Sequence, residues 1–175
     1  CQEADGYINA QKPHKDRFDE KVCHDLYIAG HFFEAAVAHH RATGEPDLLD
    51  AARRWADFLI KAHEDGHPYF KGGGMREHSE YELGLLRLYR ETGEEAYLEF
   101  SIALATELNH VGPTLAEVKA GGGLHAVRVG YLLASLADLY LETGRNDLLR
   151  HLVSLWDEIV DSRMYVTGAV ASRGE

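Results

Sequence analysis

The sequence has few prolines and cysteines, little positive charge and no long apolar run. Only four prolines occur in 175 residues, so long helices can form without interruption. No uninterrupted stretch of about 18 apolar residues is present, and we therefore expect no membrane-spanning helix. Eighteen Lys and Arg stand against 29 Asp and Glu, giving a formal net charge of −11. Such a chain repels a phosphate backbone, so we expect no nucleic-acid partner.

The two cysteines, Cys1 and Cys23, have neither zinc-finger nor CxxC spacing. They leave open whether a disulfide forms or two thiols stay free, so they do not decide the compartment. The length suits one domain. Because the sequence begins without an initiator Met or a signal-peptide pattern, we expect it to start in the middle of a longer chain.

A Thr-Gly pair recurs three times, ending at Gly44, Gly93 and Gly144, with spacings of 49 and 51 residues. Each pair follows one periodic apolar run and precedes another, which predicts three helix–turn–helix units. Glycine suits such a turn because it adopts the left-handed backbone conformation without a Cβ clash.

The first helices of the three units are predicted at about 21–43, 77–92 and 124–143. One short extended piece is expected at 165–167. The predicted fold class is all-α, and three hairpins of this period form either an open solenoid or part of a closed (α/α)6 toroid.

Three histidines occupy related places in the repeat. His24, His78 and His125 precede the turn threonine of their own unit by 19, 14 and 18 residues. In a toroid the equivalent helices run parallel, so these imidazoles would converge at one rim on a common pocket. Triple glycines at 72–74 and 121–123 would let a ligand approach the backbone closely. The alternative for each histidine is a helix cap or a partly buried, hydrogen-bonded side chain.

Other side chains are candidates for the same pocket. His31 lies seven residues after His24, on one helical face, and is predicted to line the cavity more deeply. Tyr7 lies in a loop-like context and is a candidate for stacking on a sugar ring. His63 and His67 have i,i+4 spacing, but a glycine and a proline interrupt the helix there, so we expect no metal site from this pair.

Short motifs stand in a fixed order along nearly the whole chain: Asp5-Gly6-Tyr7-Ile8-Asn9, His24-Asp25-Leu26-Tyr27, Ala29-Gly30-His31, Glu34-Ala35-Ala36-Val37-Ala38, His125-Ala126-Val127-Arg128 and Arg163-Met164-Tyr165-Val166-Thr167-Gly168. Each motif is short, but the ordered set resembles glycoside hydrolase family 127, the β-L-arabinofuranosidase family. The resemblance implies that residues 1–175 are a partial (α/α)6 toroid catalytic domain, truncated at both ends. It implies retaining release of a terminal β-L-arabinofuranose-like sugar from non-reducing ends. It also implies that His24, His78 and His125 line the sugar subsite.

The family's nucleophile is a cysteine held on zinc with two further cysteines and a glutamate, and neither Cys1 nor Cys23 matches these positions. By resemblance we therefore expect zinc in the intact family enzyme and none on this chain alone. The acid/base glutamate is expected just beyond Glu175, which takes that role only if the loop is shortened. We expect the isolated chain to be inactive and to be completed by missing segments, a second chain or an oligomer.

Two other function classes stay open. A non-catalytic helical-repeat scaffold would keep the architecture and show no affinity for small sugars. An (α/α) toroid sugar epimerase of the acylglucosamine type also uses rim histidines and needs no zinc, although the ordered motifs favour the hydrolase.

Overall fold

The structure is a computed structural model that describes residues 2–8, 17–18, 25–71, 80–106 and 126–170. These ranges contain seven α-helices, and the predicted all-α class is confirmed. The helices are α1 (Asp25–Thr43), α2 (Asp47–Glu64), α3 (Pro68–Lys71), α4 (Glu80–Thr92), α5 (Glu95–Thr106), α6 (Ala126–Thr143) and α7 (Asn146–Ser162). Within the described part of the chain, no helix is long and apolar enough to cross a membrane.

The three hairpin turns are built by one set of bonds. Thr43 Oγ1 donates to the His39 carbonyl at 2.8 Å, and the Glu45 N–H donates to Thr43 Oγ1 at 3.0 Å. The threonines of the second and third turns make the same carbonyl bond at 2.8 and 2.7 Å. The glycines that follow have φ of 77°, 75° and 67°. The threonine therefore satisfies polar groups at the helix end while the glycine reverses the chain.

The first helices of the hairpins, α1, α4 and α6, run parallel in one layer. Gly30 of α1 lies against α4 near Glu80 and Gly84. Eleven residues after Gly30 on the same helix, Arg41 pairs with Glu91 of α4 at 2.6 Å. Residue numbers thus rise together on both helices. Further pairs join α4 to α6 in the same sense: Arg87–Asp138 and Arg90–Glu142. The N-terminal ends of these helices consequently lie at one end of the layer, as the rim argument from the sequence requires.

Shared apolar clusters join neighbouring hairpins. The cluster between the first two hairpins surrounds Trp55, which is 1 % exposed. In the next cluster Leu86 and Ala105 of the second hairpin pack with Leu136 and Leu155 of the third. Since each hairpin gives residues to its neighbour's core, none buries its apolar face alone, as is typical of a repeat architecture.

The chain after α7 differs from the extended piece predicted at 165–167. Met164 and Val170 form an isolated antiparallel bridge. Between them the Tyr165 N–H donates to the Ala169 carbonyl at 2.9 Å, and Gly168 has φ of 81°. The left-handed glycine folds this segment into a turn, so the expectation of extended backbone there is wrong.

Candidate functional site

The structure does not place the three histidines that the repeat predicts for the rim. His24, His78 and His125, like Glu175, lie outside the described residues. The helices that follow the three histidines begin at Asp25, Glu80 and Ala126. The parallel course of these helices confirms the geometric premise of a common rim, whereas the position of the imidazoles stays a prediction.

His31 is the predicted site residue that the structure places at this end of the layer. The Tyr27 ring packs edge-on against its imidazole, with centroids 4.6 Å apart. The Tyr131 ring of α6 also packs edge-on against the imidazole, with centroids 5.6 Å apart, and the Tyr131 hydroxyl lies 3.5 Å from His31 Nε2. We call Tyr27, His31 and Tyr131 the rim cluster. The His31 side chain is 38 % exposed, so the cluster is open to a ligand.

The rim cluster joins two helices that are not neighbours in the layer. His31 lies on α1 and Tyr131 on α6, with α4 between them. Axes of packed helices lie about 8–10 Å apart, so two side chains that bridge α1 and α6 must extend over α4 toward each other. The contact between His31 and Tyr131 therefore lies in front of α4, on the face of the layer that carries the cluster.

Charged side chains continue this face away from the rim. His31 Nδ1 lies 3.9 Å from Glu34 Oε2, and Arg87 Nε lies 3.9 Å from Glu34 Oε1. Arg87 also contacts Asp138 of α6 at 3.3 Å. Both imidazole nitrogens thus have a polar neighbour, and the row gives a bound polyol both donors and acceptors.

The phenols near the rim are held in the protonated form. Partial burial raises the pKa of Tyr131, and the neighbouring Tyr27, Glu80 and Glu34 raise it further. Tyr81 is fully buried in the core against Phe100, and burial, followed by the charge of Glu82, raises its pKa well above the ordinary value. Tyr131 is therefore a hydrogen-bond donor at neutral pH rather than a base.

The sequence reasoning missed Tyr131, although the repeat contained a signal. His31, Glu80 and Tyr131 each stand thirteen residues before the turn glycine of their own hairpin. Since the three helices are parallel and the turns are alike, equal distance from the turn means equal height in the layer. Aligning the repeats on Gly44, Gly93 and Gly144 would have brought these residues together.

Tyr7 lies in a loop, as expected, but its ring is 0 % exposed. Its hydroxyl donates to Asp25 Oδ2 at 2.6 Å, and the Phe18 N–H donates to the same oxygen at 3.1 Å. The Arg17 guanidinium covers the ring at 4.4 Å. Long-range packing therefore closes the ring face of Tyr7. A sugar contact by Tyr7 stays a prediction, and its surroundings favour holding the N-terminal segment on the first turn of α1.

A cavity of about 820 Å³ lies beside α2 and is separate from the rim cluster. Phe18 and Phe58 stack along it with centroids 5.9 Å apart, and His67 packs on Phe18 at 4.8 Å. None of the rim cluster residues lines this cavity. Its size alone does not make it the candidate site, because the matched repeat positions and the exposed polar row belong to the other face.

The whole chain, residues 1–175, matches the family described as beta-L-arabinofuranosidase, GH127 catalytic domain. A non-reducing end beta-L-arabinofuranosidase from Bifidobacterium longum subsp. longum is 32% identical over 214 residues. That match covers 98% of this chain and 32% of the relative. Because the aligned length exceeds the 175 residues of this chain, the relative contains residues without a counterpart here.

Solved structures share the fold. The crystal structure of Ara127N-Se, a GH127 beta-L-arabinofuranosidase from Geobacillus stearothermophilus T6, superposes with a TM-score of 0.77 at 30% identity, over 97% of this chain and 31% of that chain. A second structure, a glycoside hydrolase, gives 0.68 at 34% identity, over 97% of this chain and 27% of its own. The chain thus spans about a third of these proteins and fits a helical toroid.

Proposed function

Because the chain belongs to the GH127 β-L-arabinofuranosidase family, we propose that it forms part of the sugar-binding rim of a retaining glycosidase that releases terminal β-L-arabinofuranose. The observation that carries the proposal is the contact of His31 with Tyr131 in front of α4, at matched positions of two repeats. Two aromatic side chains that meet in front of a third helix form a partly exposed polar surface without relying on a loop.

The chemistry of the rim cluster suits a furanose. A sugar presents hydroxyls that both donate and accept, together with C–H faces that pack on aromatic rings. Tyr131 donates through its hydroxyl, His31 donates through one nitrogen and accepts through the other, and Tyr27 is 37% exposed for packing. We further propose that His24, His78 and His125 bind sugar hydroxyls at the same rim.

We assign the bond-breaking step of glycoside hydrolysis to none of the described residues. The family scheme implied by the resemblance uses a zinc-bound cysteine and a glutamate acid/base. Among the described residues no group of three His, Cys, Asp or Glu could hold a metal ion, so these residues do not fit a zinc site. We therefore propose a binding role for them and expect no hydrolysis by residues 1–175 alone, with Glu175 or a neighbour as the acid/base of the complete enzyme.

The test is kinetic and uses the naturally expressed protein with an aryl β-L-arabinofuranoside. Tyr131→Phe removes one hydroxyl and keeps the ring, so we expect the apparent affinity to fall about two- to tenfold, the worth of one hydrogen bond. Tyr140→Phe, on the same helix but near its C-terminal end, is the matched control and should leave KM unchanged.

Three outcomes would contradict the proposal. Unchanged KM in Tyr131→Phe would remove the rim cluster from the sugar site. Absence of both hydrolysis and binding of L-arabinose would favour the scaffold. An isomerised sugar in place of a released one would favour the epimerase.

A further inference from the structure

The cavity beside α2 has an apolar wall of aromatic rings and a charged edge. The Phe18 and Phe58 rings lie nearly parallel, at 7° and with centroids 5.9 Å apart, so together they form one continuous apolar surface. Arg54, Asp57 and Lys61 also line the cavity. Positions 54, 58 and 61 follow one another at intervals of four and three, so one side of α2 presents both an aromatic ring and two cations. The volume of about 820 Å³ lies within the range of small-ligand sites.

Arg54 is held in place by a neutral side chain. Its Nε and Nη2 donate to Gln2 Oε1 at 2.8 and 2.5 Å. The Gln2 amide is fixed in turn, because its Nε2 donates to the carbonyls of Gly6 and Ala51, both at 2.8 Å. In the part of the chain that the structure describes, no carboxylate forms an ion pair with Arg54, whereas the neighbouring Arg53 pairs with a glutamate at 3.2 Å. An amide orients the guanidinium without neutralising it, so the charge of Arg54 is available to an anion.

Asp57 is the second charged group of the lining without an ion-pair partner among the described residues. The other charged side chains of the lining pair with each other: Arg17 with Asp5 and Lys61 with Asp65. Asp57 Oδ1 accepts a hydrogen bond from the Tyr97 hydroxyl at 3.0 Å, which leaves Oδ2 for another donor. The cavity therefore offers a ligand one cation, one acceptor and an apolar wall.

The backbone at Phe18 is held in an unfavourable conformation that keeps its ring in this wall. Phe18 has φ of 59°, in the left-handed region that a bulky side chain rarely adopts. Its N–H donates to Asp25 Oδ2 at 3.1 Å, and its ring packs on His67 with centroids 4.8 Å apart. Such strain persists only where the surroundings impose it, and it is common at ligand-binding positions.

We propose that this cavity binds a sugar acid, such as a uronate unit of a glycan. The carboxylate binds Arg54, a ring hydroxyl donates to Asp57, and the C–H face packs on the aromatic wall. A phosphate dianion fits less well, because three carboxylates belong to the lining. Arg54 and Asp57 are exposed, so the ligand can continue into solvent, which favours a unit of a glycan over a single amino acid. The cavity is separate from the rim cluster, so this inference does not depend on the function proposed there.

Binding of two methyl glycosides to the naturally expressed protein tests the site. Methyl α-D-glucuronide and methyl α-D-glucoside differ in the group at C6, a carboxylate or a hydroxymethyl, so their affinities isolate the charge. We expect the glucuronide to bind about tenfold more tightly in ligand-observed NMR titrations. Arg54→Gln should remove this preference. The charge-matched control Arg150→Gln, exposed on α7 and outside the cavity, should keep it. Equal affinities in the unchanged protein, or an unchanged preference in Arg54→Gln, would overturn the proposal.

Chemical footprinting tests the same contact without a substitution. Phenylglyoxal modifies exposed arginines, and mass spectrometry quantifies each modified peptide. The glucuronide should slow modification of Arg54 several-fold and leave Arg150 unaffected, whereas the glucoside should slow neither. Slowing at both arginines, or at neither, would contradict binding in the cavity.

Two further titrations separate other ligands and the other site. Protection of Arg54 by L-phenylalanine at a lower concentration than by the glucuronide would show an amino-acid site and overturn the choice of a sugar acid. Tyr131→Phe should leave the affinity for the glucuronide unchanged, because Tyr131 does not line the cavity. A loss of affinity in that variant would place the glucuronide at the rim cluster, against the proposal.

Discussion

Replacing Gly30 by alanine would place a methyl group inside the contact between α1 and α4. A Cβ at this position meets the Glu80 carbonyl carbon and oxygen at 2.6 Å and the Tyr81 nitrogen at 2.7 Å. Ordinary contacts of a Cβ lie at 3.4–4 Å, so one helix must move by roughly 1 Å. The atoms in the way are backbone atoms, which cannot rotate aside as a side chain does.

The magnitude follows from two opposed effects. Alanine is favoured over glycine inside a helix by about 1 kcal/mol. Overpacking of a well-packed contact costs about 1–3 kcal/mol, and a backbone neighbour puts this site at the upper end. We therefore expect Gly30→Ala to lower the free energy of unfolding by about 2 kcal/mol.

Gly130 of α6 is the matched control, because a Cβ there meets nothing within 4 Å. Gly130→Ala keeps the helix-propensity gain without the clash and should raise the free energy of unfolding by about 0.5–1 kcal/mol. Urea unfolding of the naturally expressed protein, followed by far-UV circular dichroism, measures both. Stability changes of the same sign in the two variants would refute the reasoning, because the contact with Glu80 is the difference between them.

Two further predictions concern the turns and the ion pair of Arg41 with Glu91. Gly93→Ala puts a side chain at φ of 75° in open space, so backbone strain alone should lower the free energy of unfolding by about 1–2 kcal/mol; a neutral result by urea unfolding would mean that the turn relaxes. Hydrogen bonds from Arg41 and then His40 lower the pKa of Glu91 in the folded protein. The resulting stabilisation is present above the ordinary Glu pKa of about 4.3 and is lost as pH falls through the lower folded value. Glu91→Gln should therefore cost about 1 kcal/mol at pH 7 and progressively less below pH ~4, in urea titrations at several pH values; a difference independent of pH would contradict the ion pair.

The hairpins could be predicted because the residues that end each first helix act locally. A threonine that bonds the carbonyl four residues back and a glycine with positive φ both act within one turn, so the helix ends at Thr43, Thr92 and Thr143 were predicted to the residue. The turn at 165–168 was missed because its β-branched residues favour strands, whereas Gly168 decides the local backbone. The positive φ of Gly168 therefore outweighs the strand preference of the residues before it.

The site was predicted less completely, because its residues meet through long-range packing. His31 was expected from its spacing to His24, but its partner Tyr131 lies one hundred residues away and on another helix. The burial of Tyr7 likewise depends on distant residues: Asp25 accepts its hydroxyl, and Arg17 covers its ring. The sequence indicates which distant residues meet only through the register of the repeat, and that register can be used only once the helices are known to be parallel.

The close approach of Gly30 to Gly84 means that substitutions at the rim should differ in their effects on stability and on sugar affinity. A Cβ on Gly84 would meet the Gly30 carbonyl oxygen at 2.6 Å, so backbone packing fixes α1 against α4 beside His31. The long 3.5 Å contact of His31 with Tyr131 contributes little to that packing. Tyr131→Phe should therefore change KM at an unchanged urea midpoint, whereas Gly30→Ala should change both. If Tyr131→Phe lowered the midpoint as Gly30→Ala does, the cluster would be holding the helices together, and a direct sugar contact would lose its support.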